Sequence, residues 1–94
     1  MKEVISTFEE SIRRVEYVNY NKIYAFYSEN LKSFYKLQGV DGVFAFCNLE
    51  NSNSVWGSNQ NYVALIKEVI KYDNTVYEFD TLKEFAEWLV KEMK

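Results

Sequence analysis

The chain carries two Trp, eight Tyr and seven Phe in only 94 residues. That density constrains the fold more than any other feature. Each ring can bury about 150–250 Å², and a domain of this size has a radius of gyration of about 12 Å. Few positions in so small a body are fully enclosed, so some rings must stay partly exposed. Tyrosine suits such places, because the ring can be covered while the hydroxyl stays wet. Aromatic side chains are also enriched in interfaces. A hydrophobic content of 48% with no Pro argues for a globular fold and against disorder. We expect one domain over residues 1–94.

Several function classes fall away at once. There is no His, which removes Ser-His and Cys-His nucleophiles and every His-ligated metal site. Cys47 is the single thiol, so neither an internal disulfide nor a structural zinc site can form. No cofactor motif is present: GxGxxG, P-loop, CxxC, HExxH and GxSxG are all missing. Lone thiols suit a reducing compartment, and MKEVISTFEE lacks the apolar core of a signal peptide. The expected location is the cytoplasm. The longest apolar run, Val43 to Cys47, is far below the roughly 20 residues of a membrane span. The net charge of -3 is spread evenly, without the basic patch of a duplex-DNA binder. Phe, Ile, Lys, Asn and Tyr are abundant while Pro, Gly, Ala and Arg are scarce. That balance implies an AT-rich gene, as in many low-GC microbes, their viruses and mobile elements.

The pattern along the chain reads as α+β, a small mostly antiparallel sheet with helices at both termini and one in the middle. Val4, Ile5, Phe8, Ile12 and Val15 keep the spacing of one helical face over residues 2–15. Residues 16–27 are rich in strand formers. They are read as two short strands meeting near Asn21, followed by a helix from about Ser28 to Gln38 that Gly39 ends. In the alternative, one helix runs from Asn21 to Gln38. Residues 42–49 form a strand apolar on both faces, with Cys47 a buried small hydrophobe.

Residues 62–72 fit two periods. Tyr62, Leu65, Ile66, Val69 and Ile70 make a full helical stripe, yet Asp73-Asn74 suits a turn and TVYEF alternates beyond it. The expectation is therefore a hairpin over 62–79, which would leave Glu68 among apolar neighbours or on a protected edge. Thr81 and Glu84 are spaced as a capping box, and Leu82, Phe85, Ala86, Leu89 and Met93 extend an apolar stripe to residue 93, with Trp88 at its margin.

Chemistry is thinly represented. Glu9, Glu10, Glu16, Asp41, Glu50, Glu78 and Asp80 are the carboxylates available for acid–base work without His, but most fall on polar faces or caps, and Asp41 reads as a turn residue. Lys22, Lys32 and Lys36 with Tyr24, Tyr27 and Tyr35 would share a stacking surface for single-stranded nucleic acid if residues 22–36 were helical. The segment ENSNSVWGSNQN, Glu50 to Asn61, is polar except around Trp56, so Trp56 reads either as a ring folded back to cap the core or as an exposed loop anchor. Trp is a frequent interface hot spot. The expected function is a small non-enzymatic module that binds another protein or a second copy of itself, in the manner of a viral or mobile-element accessory acting on a host protein. Trp56, Tyr62 and Trp88 are the expected partner-binding residues. A nucleic-acid module and a carboxylate-dependent enzyme are the alternatives.

Overall fold

A computed structural model describes residues 1–4, 21–72 and 74–93. Among these, the elements in chain order are β1 (Lys2–Val4), β2 (Ile23–Ser28), β3 (Ser33–Val40), β4 (Val43–Asn48), β5 (Val55–Asn59), α1 (Tyr62–Lys71), β6 (Val76–Phe79) and α2 (Leu82–Glu92). The strands form one antiparallel sheet in the order β1-β6-β2-β3-β4-β5. A meander thus runs from β2 to β5, and the chain then returns through α1 to lay β6 against the far side of β2. The α+β class and the antiparallel sheet are as the residue pattern requires.

Three expected elements differ. Lys2–Val4 pairs with β6 as a strand, Val4 opposite Val76, and is not the first turn of a helix. Val4 is buried in the core, a role that one apolar residue fills equally well on a strand or a helix. The rest of the expected N-terminal helix, and residues 16–20, lie outside the described residues.

The expected middle helix is also replaced by strand. Its apolar face would have included Leu31, which is instead exposed in the loop between β2 and β3. That loop is closed by the Ser28 hydroxyl, which accepts from the Leu31 amide at 3.2 Å, and Lys32 takes a left-handed φ of 51°. Gly39 ends no helix; it lies within β3 opposite Phe44. The chain reverses at Asp41-Gly42, both with positive φ, the pair that a tight two-residue hairpin demands. Asp41 is therefore a turn residue, as expected.

The hairpin over 62–79 is the third correction. Residues 62–71 are helix α1 and only Val76–Phe79 is strand. Asn61 caps the helix, its Oδ1 accepting from the amides of Val63 at 2.9 Å and Ala64 at 3.3 Å. Leu65, Ile66, Val69 and Ile70 go into the core and Glu68 faces solvent, so the buried carboxylate that a strand threatened never arises. Asn74 explains the turn signal differently. Its side-chain amide donates to the carbonyls of Val69 and Tyr72, finishing the helix.

The sheet buries both faces. Tyr24, Phe26, Tyr35, Phe46 and Val76 pack under α1. Ala25 and Phe79 meet Phe85 and Trp88 of α2 on the other side. Helix α2 forms where expected, with the Thr81 hydroxyl accepting from the Glu84 amide at 3.2 Å, while the Glu84 carboxylate engages the Met1 ammonium. Its buried side differs from the expected stripe: Trp88 lies in the core beside Phe85, and Leu82 and Met93 are exposed. Cys47 is free and buried.

Candidate aromatic cleft

The rings left to solvent among the described residues are tyrosines. Tyr27 is 37% and Tyr72 61% exposed, whereas Trp88 is 6% exposed. These three line one cleft of about 440 Å³ together with Tyr77, Glu29, Asn30, Asn74, Thr75 and Glu92. Three separate pieces of chain build it: the end of β2 with its turn, the link from α1 running into β6, and the last turns of α2.

Each wall ring is held from behind by another ring. Tyr27 leans on Phe34 with centroids 4.8 Å apart, and Phe34 meets Trp88 edge-on at 5.4 Å. Tyr77 lies 5.6 Å from Trp88. Tyr72 meets Trp56 at 5.9 Å. Antiparallel register explains the first three. Tyr27 pairs with Phe34 and Ala25 with Tyr77, so alternation along β2 puts Tyr27 and Ala25 on the sheet face that α2 covers. Trp88 and Glu92 are four residues apart and share one side of α2.

Trp56 is not in an irregular loop. It belongs to β5, where Phe46 pairs with Gly57 and Cys47 with Val55, leaving Trp56 as the extra residue of a β-bulge. Such a bulge re-aims a side chain. Here it turns two consecutive residues toward α1. The Trp56 ring meets Phe26 edge-on at 5.8 Å, and a Cβ on Gly57 would lie 3.7 Å from Leu65. The surrounding Asn residues are structural. Asn48 Oδ1 accepts from the amides of Glu50 and Asn51, and Asn51 Oδ1 accepts from that of Asn53.

Trp56 and Tyr62 therefore lie in the α1 layer and Trp88 across the sheet. Trp88 lines the cleft, Trp56 supports it through Tyr72, and Tyr62 packs on Phe44 at 5.2 Å, at the opposite end of α1. Tyr72 and Tyr77, with Glu29 and Glu92, went unmarked in the sequence. Their signal was weak: tyrosine at the margins of apolar stripes, where phenylalanine would serve a closed core.

The electrostatics of the cleft are one-sided. Glu29 and Glu92 have no ion-pair partner among the described residues, where the bridges are Met1–Glu84 and Lys22–Asp80. No Lys or Arg is among the lining residues described. Burial first, and then the charges of Glu3 and Glu92, raise the Tyr77 phenol above its ordinary value. The Lys–Tyr stacking surface that a helix over residues 22–36 would have made does not form, since these residues are two strands and a loop and Tyr24 and Tyr35 are buried. No three His, Cys, Asp or Glu gather among the described residues, and none of their helices is long and apolar enough to cross a membrane. Compared with protein-family models, curated proteins and solved structures, the chain matches none.

Proposed function

We propose that this chain is a small non-enzymatic protein-binding module whose binding surface is the aromatic cleft. The observation that carries the reading is the pairing of exposed Tyr27 and Tyr72 with a Trp88 floor in one concavity. Rings held by other rings lose little side-chain freedom on binding, which is one reason aromatic anchors dominate interfaces. The partner is a protein other than this one. A second copy would bring the same net charge of -3 to a cleft that already holds two carboxylates. Phosphate is repelled on the same ground, which disfavours nucleic acid. A viral or mobile-element accessory acting on a host protein in the cytoplasm is the setting that suits the composition.

One observation favours a carboxylate-dependent enzyme: Glu29 and Glu92 do share a cleft. Acid–base work by such a pair depends on taking one carboxyl out of water, and both are exposed. Binding is therefore the better reading. Peptide display against the wild-type chain, counter-selected on Tyr72→Ala, tests it. A peptide class that the wild type retains and the variant loses is expected. Selection of no such class overturns the proposal.

A further inference from the structure

We propose that the cleft is a receptor for one organic cation, a guanidinium or alkylammonium side chain presented by the partner protein; this rests on the binding reading above and names its chemistry. Three observations converge. Tyr27, Tyr72, Tyr77 and Trp88 line the cleft, and a cation over the face of such a ring is attracted by its quadrupole. Glu29 and Glu92 supply two negative charges that no described cation neutralises. The volume, about 440 Å³, accommodates a long side chain and its head group.

The geometry also separates this site from a plain apolar groove. An aliphatic or aromatic ligand would gain from the rings but would pull Glu29 and Glu92 toward a medium in which they have no partner. A cation gains from both. Asn74 uses its side-chain NH₂ on the Val69 and Tyr72 carbonyls, which leaves Oδ1 as an acceptor for a guanidinium or ammonium N–H. The Tyr77 phenol is raised chiefly by burial, and the smaller contributions of Glu3 and Glu92 agree with a negative potential at the cleft wall.

The test compares two peptides that differ in charge and little else, acetyl-Gly-Arg-Gly-amide and its citrulline counterpart. Each is titrated into the 15N-labelled chain while backbone and indole N–H shifts are followed. The arginine peptide is expected to move Asn30, Asn74, Tyr77 and the Trp88 indole together, at least tenfold more tightly than citrulline. Its affinity should fall as salt is raised, since part of the attraction is long-range. Glu29→Gln with Glu92→Gln should weaken it about tenfold, and Tyr72→Ala should weaken it as well. All three side chains are exposed, and circular dichroism checks that the variants fold. Equal binding of the two peptides, or shifts scattered away from the cleft, overturns the cation proposal. Display peptides that depend on Tyr72 but lack Lys and Arg would overturn it too and leave the binding module standing; display that yields no cleft-dependent peptide removes both.

Discussion

Two glycines show how differently one residue type is used. Gly42 has φ +77° with nothing within 4 Å of a Cβ placed there, so its requirement is conformational alone. Gly42→Ala should cost about 1 kcal/mol through backbone strain, and Gly42→Asn less, since Asn tolerates the left-handed region. Gly57 needs no such freedom, and its added Cβ would make ordinary contact with Leu65. Gly57→Ala should be neutral, or stabilising by about 0.5 kcal/mol. Urea midpoints distinguish the two. Asp41 was legible as a turn residue, whereas Trp56 was not legible as a strand residue, because a bulge breaks the alternation that would have revealed it.

The Lys22–Asp80 bridge, 2.7 Å long, is the other residue-scale case. The hydrogen bond and charge of Lys22 hold the Asp80 carboxyl below its ordinary value, and Asp80 raises Lys22 in the same way. Asp80 therefore contributes stability at neutral pH that is lost as acid protonates it. Lys22 contributes below its ordinary value and loses that contribution as alkali deprotonates it. Asp80→Asn should flatten the urea-midpoint profile below about pH 4 and above about pH 10. An unchanged profile would show that the pair is too well solvated to matter.

Elements were harder to read than residues, for a physical reason. Residues 62–72 satisfy a helical stripe and a passable strand alternation at once, although the helix gathers Leu65, Ile66, Val69 and Ile70 on one side and a strand would divide them between two faces. What separates them is what each does with Glu68, Asn61 and Asn74. Helix α1 exposes the first and uses the other two as caps. Asn61→Ala should accordingly cost about 1 kcal/mol, measured by thermal or urea unfolding, because two amides at the start of α1 lose their acceptor. A cost near zero would mean that water replaces the cap. At β3 the error ran the other way. Phe34 and Leu31 kept a helical interval, but Ser33–Val40 finds partners on both sides, β2 along Ser33–Lys36 and β4 along Tyr35–Val40, and these two overlapping ladders outweigh a weak local helical preference. The capping signal of α2 had no competing period, and the helix itself was anticipated, but its buried side was not: Phe85 and Trp88 go into the core, whereas Leu82 and Met93 of the expected stripe are exposed.

At the scale of the molecule, one sheet serves two layers. Val76 and Phe79 of β6 face opposite helices, as do Phe26 and Ala25 of β2. Loss of either layer should therefore unseat the other. Trp56 reports on the α1 side and Trp88 on the α2 side. Single-tryptophan variants Trp56→Phe and Trp88→Phe should each show fluorescence and circular dichroism transitions that coincide in urea. Separate midpoints would show that one helix opens before the sheet does.

The order of residues settles what depends on local chemistry and on totals: an α+β fold, the turn at Asp41, the cap at Thr81, a buried Cys47, and more rings than the interior encloses. It leaves open which rings are left over. That choice belongs to the assembled sheet, because Tyr27, the Tyr72–Tyr77 stretch and Trp88 come from three parts of the chain and meet only when β6 inserts beside β2 and α2 folds across them. Short-range periodicity carries no record of such meetings, so the cleft and its unneutralised carboxylates emerge only with the tertiary packing.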